Sequence, residues 1–174
     1  MSIMSPPDGH TGGGDPLLGE VVLERYRVER KLESRRGAGL YLARHLQGDR
    51  AVAVEIVDAA AAPAAAVDRF LETSRTVARV GHENVVELLN GGRTPRGAVF
   101  VAMEPLEGTS LAALIAQDGP ILWDRSQGIV QQLAAALGAL HRQGVVHGDV
   151  CPEDVRLVQR EGRRDFVKLL DFGV

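Results

Sequence analysis

From Tyr26 onward apolar and polar residues alternate in short runs: Tyr26 to Leu32, Leu40 to Leu46, and Ala51 to Val57. A period of two is what a strand with one buried face requires, and polar or glycine-containing stretches separate the runs. Three such strands in succession predict an antiparallel meander. After Pro63 the period lengthens, and Val67, Phe70, Val77 and Val80 fall on one side of a helix that closes near Gly81. Asn84–Asn90 and Ala98–Glu104 return to strand character, with the glycine-rich run from Asn90 to Gly97 as the hairpin between them. That makes five strands and one helix. Beyond Pro105 the pattern is helical, first over Ser110–Gln117, then from Trp123 to Gln143 with Gly144 as a C-terminal cap. The last stretch, from Gly144 to Val174, reads as short β elements around a polar loop. No repeat with a period of 20–50 residues is present, which excludes a solenoid.

Composition narrows the setting. Residues 1–16 are rich in Gly, Pro and Ser without periodicity and are expected to be disordered. A chain of 174 residues suits one domain or two small lobes sharing a cleft. The net charge of −3 provides no global field for nucleic acid or anionic lipid, so neither is expected as a partner and any phosphate affinity must be local. Cys151 is the single cysteine and the five His are scattered, which excludes an internal disulfide and a zinc site and fits a reducing cytoplasm. Neither a secretory leader nor a run of about 20 apolar residues is visible, so no membrane insertion is expected.

The order of elements, together with YRVERKL, YLARH, AVAVE, HENVVELL, FVAMEPLEGTSL, VVHGDVCPEDVRL and VKLLDFGV in register, resembles a bacterial-type Ser/Thr protein kinase domain over about residues 25–174. The resemblance implies an α+β protein kinase-like fold: a five-stranded antiparallel N-lobe sheet with one main helix, then the helical beginning of the C-lobe, with the sequence stopping just after DFG. It divides the chain into a disordered segment 1–16, an N-lobe 17–104 and a partial C-lobe 105–174.

Phosphoryl transfer is mostly positioning and charge neutralisation, so each motif implied by the resemblance has a physical task. The three glycines of the phosphate loop fall on Glu33, Arg35 and Ala38, while Gly37 and Gly39 stand elsewhere, so a plain β-hairpin with a basic tip is expected. The lysine that would hold the phosphates is Glu55, and its helix partner is Thr73, with Glu72 one helical step of about 100° off the shared face. Asp149 keeps the place of the catalytic base and His147 its structural place. The Arg of the H-R-D motif is Gly148, the loop lysine is Cys151, and the metal-binding Asn is Asp154. Asp154 and Asp171, the latter from DFG (Asp171, Phe172, Gly173), would be the Mg²⁺ ligands. Around an adenine the resemblance places Leu32, Leu40, Ala53, Met103, Glu104 and Leu106, with Arg156 at the aliphatic floor position.

These departures lead to the expectation of a catalytically impaired pseudokinase serving as a binding or regulatory module, with ATP and Mg²⁺ implied by resemblance only and bound weakly or not at all. The alternatives are an atypical ATP-dependent Ser/Thr protein kinase in which Arg35 or Arg36 replaces the missing cation, or a fragment of a longer kinase. The 124–143 helix, apolar on most faces at LAAALGAL, is expected to meet a protein partner or a second copy.

Overall fold

The computed structural model describes residues 15–22, 24–35, 38–57, 63–94, 97–105 and 107–172. Residues 1–14 of the segment expected to be disordered lie outside it, as do Arg36, Gly37, Leu106 and Gly173; for Arg35 only the backbone is described. Asp15 and Pro16, the last two residues of that segment, are described. Asp15 accepts hydrogen bonds from the Leu17 N–H (3.1 Å) and the Tyr41 hydroxyl (2.9 Å) and pairs with Lys31 at 3.2 Å. Burial opposes the Asp15 charge, but these three donors outweigh it and hold the carboxyl below its ordinary range. Burial, then the facing carboxylate, pushes the Tyr41 hydroxyl up to about 12.

The N-terminal sheet contains β1 (Val21–Val22), β2 (Tyr26–Arg35), β3 (Ala38–His45), β4 (Arg50–Val57), β5 (Leu88–Arg93) and β6 (Val99–Met103), in the order β1-β2-β3-β4-β6-β5. It has six strands rather than five, because the two-residue β1 pairs with Tyr26 and Arg27 at the edge. Alternation sorts its faces as the sequence requires. Val28, Tyr41, Val54, Ile56 and Phe100 fill one side, while Leu40, Ala53, Val101 and Met103 join a larger cluster that continues into the second lobe. Helix α1 (Ala64–Val77) buries Val67, Leu71, Ser74 and Val77, and the Ser74 hydroxyl donates to the Phe70 carbonyl at 2.8 Å, which satisfies a polar group on the buried stripe.

The strand expected at Asn84–Asn90 is displaced. It begins at Leu88 and runs through both glycines, leaving a short turn in which Thr94 N–H donates to Ala98 O and Gly97 N–H to Thr94 O. The reason is non-local. Val85 and Val86 are drawn toward the C-terminal lobe: Val86 N–H donates to Leu169 O (3.0 Å) and Leu169 N–H to Asn84 O (2.8 Å). The glycines suit their strand because an added Cβ at Gly92 would meet the Phe100 ring at 3.3 Å.

The second lobe carries β7 (Thr109–Ser110), β8 (Val155–Arg160) and β9 (Arg163–Leu169) in one small sheet, with α2 (Leu111–Asp118) and α3 (Trp123–Arg142). Ser110 caps α2 through a hydrogen bond accepted from Ala113 N–H at 3.1 Å. Gly144, at φ +74°, ends α3 as the sequence suggests, donating to His141 O. The expected short β elements from residue 144 to the end resolve into the β8–β9 hairpin alone, and 145–150 carry no regular structure. Asn84 ties the lobes together: its amide donates to Gln132 Oε1 on α3 and to Val167 O on β9.

Candidate functional site

The two lobes meet along one shared apolar cluster, at the place where the protein kinase-like fold has its cleft. Its upper wall is built from β2, β3 and β4. In β4, Glu55 lies two residues from the fully buried Ala53 and pairs in register with Leu40 and Val101, both members of the cluster between the lobes; Glu55 is therefore half-buried on the cleft side of the sheet. Thr73 on α1 is half-buried and Glu72 is exposed. Up to Arg35 and Ala38, β2 and β3 pair with Glu33 opposite Leu40, Ser34 opposite Gly39 and Arg35 opposite Ala38.

The register shifts between Lys31 and Glu33. Such a bulge breaks the alternation of a strand, so neighbouring residues can face the same way. Here Leu32 packs against the cluster between the lobes while Glu33 reaches across to β8, where its Oε1 accepts from Arg156 Nη2 at 2.6 Å. The Arg156 side chain is 7% exposed and that of Glu33 is 32% exposed.

Met103 closes β6 as part of the buried cluster, and Glu104 follows it. The Glu104 carboxylate accepts from Lys168 Nζ (2.7 Å) and Glu87 N–H (2.9 Å), and its own N–H donates to Glu87 O. These bonds commit the Glu104 side chain and N–H to other parts of the protein.

The loop before β8 and the residues that follow β9 hold the remaining chemistry. His147 is buried, with its Nε2 2.9 Å from Leu170 O and its ring edge-on to Phe172 at 5.7 Å. Asp149 follows Gly148 (φ +85°) and is exposed, whereas Asp171 sits half-buried at φ +54°. Asp154 is almost wholly buried, and its Oδ2 accepts from both the Cys151 N–H and the Cys151 thiol at 3.1 Å. Burial first, then hydrogen bonding to Glu153 and Asp154, pushes the Cys151 thiol up to about 11, which keeps it a protonated donor at neutral pH. Among the described residues no three His, Cys, Asp or Glu side chains are gathered in a way that could hold a metal ion.

The model of the protein kinase domain family matches residues 26–174. The chain belongs to that family. This kinase domain is 31% identical over 161 residues to the serine/threonine-protein kinase pkn3 of Myxococcus xanthus, covering 92% of this chain and 29% of that protein. It is 33% identical over 164 residues to PknL of Mycobacterium bovis, covering 94% and 40%. Among solved structures it is similar to the Mycobacterium tuberculosis PknI kinase domain, with a TM-score of 0.76 and 26% identity, covering 90% of this chain and 62% of that one. The chain thus spans less than half the length of these curated relatives.

Within the kinase domain, the residues assigned by sequence divide into two groups. Leu32, Leu40, Ala53 and Met103 come together in one apolar cluster, with Arg156 and Glu33 beside it. Asp149, Asp154 and Asp171 belong to the loops around His147, and Asp154 is engaged with Cys151. Leu106 lies outside the described residues. Two positions that the family uses for a nucleoside triphosphate are altered: that of the phosphate-holding lysine is Glu55, and the floor position is Arg156, whose guanidinium is paired to Glu33 on the roof. The cross-cleft pair is the feature that sequence reasoning missed. Its signal was present, since two aberrant charges of opposite sign stand at facing positions of the cleft.

Proposed function

We propose that this chain is a kinase-fold binding or regulatory module that does not transfer phosphate. The single observation that carries the reading is Glu55 on the cleft side of β4. At about 4 Å and an effective dielectric of about 20, two unit charges interact by ~4 kcal/mol, so an acid where the triphosphate needs a cation replaces a large attraction by a repulsion. ATP and Mg²⁺ come to this chain by family resemblance alone, and binding of both is expected to be weak or absent.

The second reading, an atypical ATP-dependent Ser/Thr kinase, draws on Asp149 and Asp171, which keep the types needed for a base and a metal ligand. A transfer assay with radiolabelled ATP and a panel of Ser- and Thr-containing proteins separates the two. The expected result is incorporation no higher than with Asp149→Asn; incorporation that this substitution abolishes would establish the second reading.

Cys151, the single cysteine of the chain, is in no disulfide, which fits a reducing cytoplasm. Among the described residues no helix is long and apolar enough to cross a membrane. The exposed Leu122, Trp123 and Val130 at and near the start of α3 support docking of a protein partner or a second copy there. Sedimentation equilibrium is expected to show concentration-dependent association that Trp123→Ser weakens, and a monomer at high concentration would count against self-association.

A further inference from the structure

Val155, Arg156 and Leu157 are three consecutive buried residues of β8, at 1%, 6% and 4% exposure. Both faces of this strand are therefore covered, and one of them presents a guanidinium. Taking such a charge out of water is costly unless an anion meets it. The anion comes from the opposite lobe, 123 positions earlier in the chain, and it arrives there because the bulge at Leu32 lets Glu33 face the cleft. Arg156 Nε, buried as well, has no hydrogen-bond partner among the described residues, which hold the guanidinium by Glu33 at one end. Leu40, Ala53, Met103 and Leu157, all at or below 4% exposure, belong to one continuous cluster in the same region.

We infer that the Arg156 side chain, anchored across the cleft by Glu33, fills the space that a purine would need, so that this pair determines what the cleft accepts. The inference deepens the reading given above, on which it rests: that reading concerns the phosphate grip at Glu55, and this one concerns the base. A flat apolar ring could enter only if Arg156 left. Its departure would separate a short ion pair. A leucine or methionine at the same position would offer an uncharged floor and would remove the tie between Glu33 and β8.

Adenosine tests this, because it carries no phosphate and is insensitive to the charge of Glu55. It is titrated into the unaltered chain, Arg156→Leu, Arg156→Met and Glu33→Gln, each first shown to melt cooperatively, with binding followed by ligand-observed NMR. The two Arg156 variants are expected to bind adenosine at least tenfold more tightly than the unaltered chain. Glu33→Gln, which keeps the shape of the anchor and removes its charge, is expected to gain a smaller but measurable factor, and it decides the matter should neither Arg156 variant fold. A folded Arg156 variant that binds no better than the unaltered chain overturns the inference, as does an unchanged affinity in Glu33→Gln. Binding of Mg-tripolyphosphate, which has the phosphates but no base, by an unaltered chain that rejects adenosine would sink the inactive reading and leave this one standing.

Discussion

Gly108→Ala is expected to destabilise the protein by about 3 kcal/mol or more, the sum of a left-handed backbone conformation unsuited to a side chain and a steric conflict that cannot relax locally. Gly108 has φ +98°, and a Cβ added there would lie 2.1 Å from the carbonyl oxygen of Leu157 and 3.1 Å from Val158 Cα. Those are backbone atoms of β8, so no side-chain rotation clears the space. The next two residues form β7, which pairs Thr109 with Leu157 and Ser110 with Arg156, and Ser110 also caps α2. Pushing this segment away would loosen the link between the lobes and the strand that carries Arg156. Gly97→Ala is the control: its φ is +86°, but an added Cβ would meet nothing within 4 Å, so only the conformational cost of about 1 kcal/mol is expected. Urea unfolding of both variants measures the difference, and equal midpoints would contradict the steric argument.

Phe100→Ala is expected to cost about 3–5 kcal/mol, a large share of the roughly 5–15 kcal/mol by which a domain is stable. Phe100 is fully buried in β6, in the cluster with Val28, Tyr41, Val54 and Ile56, and its ring lies against Gly92 of the neighbouring strand. Neither a glycine nor a sheet of hydrogen-bonded neighbours can move in to fill the space. The urea midpoint should fall with little change of slope, whereas a loss below 1 kcal/mol would mean that the sheet collapses onto the cavity more freely than its pairing suggests.

Much of this architecture is legible in the sequence, because alternation in β2, β3 and β4 and the helical spacing of Val67 and Val77 are local signals. The failures are all long-range. Asn84, Val85 and Val86 have the composition of a strand, but the Asn84 carbonyl and the Val86 N–H bond to Leu169 in the other lobe, and no local pattern could reveal that. Asp15 reads as part of a polar lead-in, yet it is held by Tyr41 and Lys31. At the site, Glu33 and Arg156 each stand out as departures from the family pattern. Considered singly, each only removes an interaction with nucleotide; their opposite charges acquire meaning once the fold brings them within 2.6 Å. Likewise Cys151 and Asp154, read separately as a lost lysine and a substitute metal ligand, turn out to bond to each other.

The most direct measurement is calorimetric titration of ADP into the purified chain with Mg²⁺ present. The account predicts no saturable heat below about 1 mM nucleotide, a concentration at which binding would be worth only about 4 kcal/mol. A saturable, Mg²⁺-dependent isotherm in the micromolar range would contradict it, because in the proposed reading Glu55 opposes the phosphates and Arg156, bonded to Glu33, stands where the base would lie.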